Sequence, residues 1–300
     1  MHWGQIKTLL IFSFLILDVY LFVQFLDKKE VADIGIIEHE PSTIEEQLTS
    51  ESIAITDLPK QTHEESYISV NQHLFTEEEL SSQDGVAKQD AVILNKNTII
   101  STLEKAVSLP RRETSANLDD LLQSTAYYAD NYTFWRKSEK MNVLIYFQNK
   151  LDRPVYYNEK GYVLLFLNED NEVTHYVQTM LGEEERLTER RTLIEPIRAI
   201  ETLYNANELN AGDHITKVDI GYHTRVPFES DVQVFAPIWK ITVNDEKHYF
   251  VNAIEGFTFS TDEEEYLENI AESTIKLLEG QSRPSKELEK IQEDLQSRVQ

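Results

Sequence analysis

Along the 300-residue chain the longest apolar run comes first. Between residues 6 and 26 the charged side chains are Lys7 and Asp18, and the rest is dominated by Leu, Ile, Phe and Val. A run of this length matches the roughly 20 helical residues needed to cross a hydrocarbon core about 30 Å thick, so it predicts one transmembrane helix. Phe25, Leu26, Asp27, Lys28 and Lys29 follow where a cleaved signal peptide would carry small residues, which predicts a retained anchor. Lys7 on one side and Lys28 and Lys29 on the other leave the orientation undecided by charge.

Beyond the anchor the pattern alternates between strand and helix signals. Pro41-Ser-Thr-Ile-Glu-Glu-Gln-Leu reads as a helix start with acidic residues in its first turn, and Thr76-Glu-Glu-Glu-Leu as a second, short capped helix. Residues 66–75 have strand chemistry, and residues 91–103 read as strand or strand-to-helix. Leu118, Leu121 and Leu122 then recur at helical spacing. Residues 142–147, 161–167 and 173–179 are three strong strand signals joined by turn-like links at 149–154 and 168–171, which predicts an antiparallel meander. Residues 189–209 carry Leu193, Ile197, Ile200, Leu203 and Tyr204 on one stripe, a helix with Pro196 near its start. Strands follow at 215–224, 232–243 and 247–254, with Asn244-Asp245 as a turn.

This order predicts an α+β protein: a single N-terminal transmembrane helix followed by two units, each an antiparallel sheet with helices. The expected divisions are a short N-terminus at 1–5, the anchor at 6–26, a first unit at 27–112, a second at 113–261 and a polar helical tail at 262–300. Leu109-Pro110-Arg-Arg supplies the break near 112. The high polar fraction after Asp262 predicts a marginal or mobile tail rather than a core element.

Composition narrows the function. With 53 acidic against 28 basic residues the formal charge is -25, which repels phosphate backbones and argues against nucleic acid as a partner. The absence of cysteine removes disulfides and thiolate metal sites. No close pair of the eight histidines has a metal-binding spacing, and His175, His214, His223 and His248 fall in or beside expected strands as hydrogen-bonded structural residues. Ser273-Thr-Ile-Lys276 matches a bare serine-x-x-lysine pattern without its companion motifs, and carboxylate pairs are too abundant to diagnose a hydrolase. Asn168 to Glu172 reads as a solvated hairpin tip rather than a calcium loop. No phosphate loop, dinucleotide fingerprint or nucleophile elbow is present, so the expectation is a protein that is not an enzyme and uses no cofactor or metal, with no small-molecule ligand identified.

Candidate function therefore concentrates in the anchor. An acidic residue near a bilayer centre costs about 2.5–3.5 kcal/mol and calls for a partner. At about 100° per residue Asp18 shares a face with Ile11, Phe14, Phe22 and Phe25, while Ser13, Tyr20 and Gln24 cluster on another. Two polar surfaces predict two neighbouring helices. A second hypothesis is a receptor for a peptide or cell-wall fragment, with Tyr127, Tyr128, Tyr132 and Trp135 as its site; core packing explains the same aromatics without a ligand.

The opening Met1-His-Trp-Gly-Gln-Ile-Lys-Thr-Leu-Leu-Ile-Phe, the polar residue inside the span and the following Tyr20-Leu-Phe-Val-Gln-Phe closely resemble the N-terminus of the YycI (WalI) family. The similarity runs more diffusely through residues 66–80, 161–167 and 237–256. The last of these also has the tryptophan, hairpin and closing-glycine rhythm of PepSY-like modules, a resemblance that implies a PepSY-like second unit at 113–261. The resemblance implies a single-pass cell-membrane protein of Gram-positive bacteria, with its N-terminus cytoplasmic and its main domain extracytoplasmic. It would be an accessory regulator of the YycFG (WalRK) two-component system, partnered by the YycG (WalK) sensor histidine kinase and the sibling YycH, with cell-wall metabolism as the output. Residues 262–300 look like an addition to the common family pattern.

Overall fold

A computed structural model describes residues 14–22, 43–56, 58–59, 63–81, 88–226 and 232–299, with the side chains of 225 and 226 left aside. The chain divides into two compact units, Met1–Ser50 and Glu51–Gln300. In the first, residues 14–22 form helix α1 and Ile44–Ser50 form α2. The helix start expected within residues 41–48 is found at Ile44, behind a capping box on Thr43, while residues 41 and 42 lie outside the described ones. Thr43 Oγ1 accepts from the Glu46 amide at 3.3 Å, and Glu46 Oε2 accepts from the Thr43 amide at 3.2 Å.

The second unit begins with strands β1 (Ala54–Ile55), β2 (Glu64–Glu65) and β3 (Ile68–Gln72), then the short helix α3 (Glu77–Ser81). Thr76 and Glu79 build the same box at the start of α3, as expected. Next come β4 (Gln89–Leu94), β5 (Thr98–Ser108), α4 (Ser115–Thr125), β6 (Tyr132–Ser138), β7 (Val143–Lys150), β8 (Arg153–Tyr156), β9 (Tyr162–Leu167) and β10 (Glu172–Thr179). The chain continues through β11 (Leu181–Arg186), β12 (Arg191–Thr192), α5 (Pro196–Asn205), β13 (His214–Val226), β14 (Val232–Val243), β15 (Lys247–Asn252) and β16 (Thr258–Phe259). It ends in α6 (Glu263–Glu279) and α7 (Lys286–Val299).

The α+β class is as expected, and the sheet is an open array. Its main path runs β11-β3-β14-β13-β8-β7-β9-β10-β5-β4, with β15 on β14, β16 on β15, β6 on β7 and β1 on β13; β2 and β12 pair separately. The meander is present as antiparallel β7, β9 and β10, and the later strand set as antiparallel β13, β14 and β15. Asn244 and Asp245, at φ 55° and 58°, make the expected tight turn between β14 and β15. Residues 91–103, ambiguous in sequence, form the β4–β5 hairpin, turned by Asn95 and Lys96 at φ 47° and 63°.

Three expectations are corrected. The chain does not divide near residue 112: β5 pairs with β10 over Thr98↔Thr179 to Ser108↔Glu172, and β3 pairs with both β14 and β11. Leu109-Pro110 ends a strand without ending a folding unit. The link at 149–154, read as a turn, contains β8, which joins the two groups of strands. It runs antiparallel to β7 through Asn149↔Pro154 and parallel to β13 through Tyr222↔Val155 and His223↔Tyr156.

The third correction concerns residues 262–300, which form core rather than a loose tail. Tyr266, Leu267, Ile270 and Leu278 of α6 and Leu288, Ile291 and Leu295 of α7 are buried on a face of the sheet with Ile145, Phe147, Leu164 and Phe166. Leu118, Leu121 and Leu122 of α4 cover the opposite face with Leu144, Tyr146, Val163 and Leu165. Helices on both faces explain why β9 is buried at all six positions and reads as an unbroken apolar run. The polar fraction of α6 and α7 belongs to their outer faces, which composition cannot separate from the apolar stripe.

Candidate functional site

Of the eight residues assigned to helix contacts, Phe14, Asp18, Tyr20 and Phe22 lie on α1. Ile11, Ser13, Gln24 and Phe25 lie outside the described residues. Phe14 and Phe22 stand four residues either side of Asp18, on one helix face. The large hydrophobic side chains of α1 are 47–67% exposed. Among the described residues no helix is long and apolar enough to cross a membrane, and residues 6–13 and 23–26 of the expected span are outside them.

The four aromatics singled out in sequence do not converge. Tyr132 is buried under α4, with its hydroxyl donating to the Thr179 carbonyl at 2.7 Å. Tyr127 belongs to the same core, and Tyr128, at φ 51°, packs 6.1 Å from the Phe75 ring. Trp135 lies across the sheet, in the core covered by α6 and α7.

Backbone geometry accounts for that separation. Phe134 pairs with Tyr146 and Arg136 with the next residue, Ile145, so Trp135 is the extra residue of a β-bulge that re-aims its side chain. Its ring lies 4.5 Å from His248, 5.2 Å from Tyr156 and 5.7 Å from Phe147. The indole N–H donates to Glu263 Oε2 at 3.0 Å, and the Tyr157 hydroxyl donates to the same oxygen at 3.1 Å. The first carboxylate of α6 thus ties the C-terminal helices to the bulge.

Trp135 also walls a pocket of about 520 Å³ lined by residues of β6–β8 on one side and β13–β15 on the other. Tyr156 and Phe147 complete the aromatic wall, and the β13–β15 sheet supplies Lys217, Asp219, Lys240 and His248. Cross-strand register sets these side chains together: Asp219 faces Lys240, and Thr242 faces His248. Asp219 Oδ2 lies 2.9 Å from Lys217 Nζ and 3.4 Å from Lys240 Nζ, so two ammonium groups share one carboxylate oxygen. The Lys240 side chain is only 11% exposed, with its ammonium 5.1 Å from the Trp135 ring centre. Burial pushes its pKa down, and Asp219 opposes the shift. Burial, reinforced by the Lys240 and Arg136 charges, takes His248 to about 4, which leaves it neutral at pH 7; its Nδ1 lies 3.2 Å from Thr242 Oγ1.

Sequence reasoning found Trp135 but missed Lys217, Asp219 and Lys240. Their alternation along β13 and β14 was visible, but the register that joins them was not. Among the described residues no three His, Asp or Glu side chains form a group able to hold a metal. At the 168–172 tip Asn168 Oδ1 accepts from the Asp170 and Glu172 amides at 3.0 and 2.9 Å, holding a hairpin turn. Lys276 of the serine-x-x-lysine pattern lies 3.8 Å from Glu272 along α6.

No curated protein matches the chain. The family model described as YycI protein matches residues 32–254, a stretch that takes in both groups of strands and stops before α6 and α7. The family suggests a regulatory accessory role in the YycFG two-component system. By a match over well more than half its length, this chain belongs to the YycI family.

Proposed function

We propose that this chain is a non-enzymatic, single-pass membrane regulator of the YycG (WalK) sensor histidine kinase, acting together with YycH to tune cell-wall signalling. Its N-terminus is cytoplasmic and its main domain extracytoplasmic, with the β13–β15 sheet and α5 as a PepSY-like module. The observation that carries this reading is α1, an apolar helix whose large side chains are exposed while Asp18 interrupts its Phe14–Phe22 face. Family membership supplies the system in which such a helix works. Asp18 and its face pack against one neighbouring helix, and Ser13, Tyr20 and Gln24 against another. Differential contact with two kinase conformations, worth a few kcal/mol, is enough to shift the balance between them.

The test is Asp18→Leu in the full-length chain. Leucine makes the span more apolar, so insertion should persist. Polar contacts between membrane helices are worth about 0.6 kcal/mol on average and at most about 1.7, so recovery of partners should fall severalfold rather than vanish. Pull-downs from membranes quantify kinase and sibling separately. Undiminished recovery of both would refute the role of Asp18, and equal losses from Asp18→Leu and Gln24→Leu would remove the two-face arrangement.

A further inference from the structure

We infer that the pocket between the two groups of strands is a binding site for a small organic monocarboxylate with a flat apolar body. The inference goes beyond the kinase-regulator reading and stands or falls on the pocket alone. Its volume of about 520 Å³ lies within the range of small-molecule sites, about 300–1,000 Å³. The decisive group is Lys240. An ammonium has three donors, and the carboxylate facing this one offers a single oxygen at 3.4 Å, already 2.9 Å from Lys217. That distance lies beyond the usual N–H···O span of about 2.7–3.2 Å, and the lysine, with its side chain only 11% exposed, lines the pocket. A ligand carboxylate would compete for this ammonium through shorter charge-assisted bonds, which are the strong ones.

The rest of the lining selects the ligand. Two ammonium groups around one carboxylate oppose a cation, while neutral His248 adds hydrogen-bonding capacity without charge. Asp152, exposed on the β7–β8 turn at the wall, disfavours a second negative charge on the ligand, as does the chain's net charge of -25. Trp135 and Tyr156 offer ring surfaces for a flat apolar body. Gly221 makes room for this wall: a Cβ there would fall 2.4 Å from Tyr156 Cε2.

Phenylacetate is a suitable probe and phenylacetamide its neutral counterpart. The full-length chain has three tryptophans, so labelling indole nitrogens with ¹⁵N gives three side-chain NMR signals, with Trp135→Phe assigning one. Titration with phenylacetate should shift the Trp135 signal saturably, at a half-saturation of a few millimolar or lower for a ligand of about ten heavy atoms. The buried Trp239, which donates to the Ile194 carbonyl, should stay fixed. Phenylacetamide should bind on the order of tenfold more weakly, and Lys240→Met should lose a similar factor while Lys240→Arg keeps most of the affinity. Methionine at a buried lysine position is compatible with folding, which the unchanged Trp239 signal and thermal melt would verify. No saturable shift by about 20 mM, or equal binding of acid and amide, would overturn the inference. So would undiminished binding by folded Lys240→Met. Should that variant fail to fold, the acid-against-amide comparison on the parent protein decides alone.

Discussion

Leu295 lies near the end of α7 with none of its surface exposed, packed in the core that α6 and α7 share with β7 and β9. Truncating it to alanine tests whether this helix pair holds the fold or merely follows it. The substitution removes three carbons, worth about 2.4 kcal/mol at about 0.8 kcal/mol each. A cavity of about 75 Å³ left unfilled would add up to about 1.8 kcal/mol, less whatever the surroundings relax into it. The expected loss is therefore about 2.5–4 kcal/mol. A helix of 14 residues is marginal in water by itself, so α7 depends on this docking. Urea melts of the full-length protein would be followed by far-UV circular dichroism and by tryptophan fluorescence, since Trp135 is hydrogen-bonded to the first residue of α6. Lys290→Ala, on the exposed side of the same helix, should change stability by no more than about 0.5 kcal/mol. An early transition seen by dichroism alone would place the loss in a locally unfolding helix pair. Leu295→Ala melting together with Lys290→Ala would refute the assignment of α7 to the core.

Acid should loosen the same contact. Burial holds His175 at about 4 in the folded protein against 6.5 when free, with Arg298 adding to the shift and Asp294 opposing it. The folded state thus binds fewer protons, so the stability is complete above about pH 6.5 and is lost as pH falls toward 4, by up to roughly 3 kcal/mol. Denaturant melts across that window should show a shallower slope for His175→Gln than for the parent; equal slopes would assign the acid sensitivity elsewhere, for instance to His223 and His248. Gly221→Ala should cost about 1–3 kcal/mol, because its Cβ would sit 2.4 Å from Tyr156 Cε2 and 3.0 Å from the Pro154 carbonyl oxygen. In the same melts, Tyr156→Ala should cost less in the Gly221→Ala background than in the parent, and strict additivity would mean that the two residues do not meet.

Local chemistry was legible wherever neighbours in the sequence carry it. The capping boxes at Thr43 and Thr76, the Asn244-Asp245 turn and the unbroken apolar run of β9 each depend on a few consecutive residues, and each formed where the sequence placed it. The YycI resemblance, carried by the opening motif and segment order, agrees with the family match over residues 32–254. What the sequence could not decide depends on pairing between distant residues. Nothing near Pro110 announces that β5 will add to β10, and nothing near Pro154 announces that four residues will bridge two groups of strands, because register is a property of two segments at once. The polar composition of residues 262–300 concealed an apolar stripe whose value appears only when a sheet face is present to receive it. The pocket around Trp135 was hidden for the same reason. A bulge turns the indole, cross-strand register sets Lys240 against Asp219, and β6–β8 and β13–β15 wall one pocket, so only the tertiary structure brings those groups together.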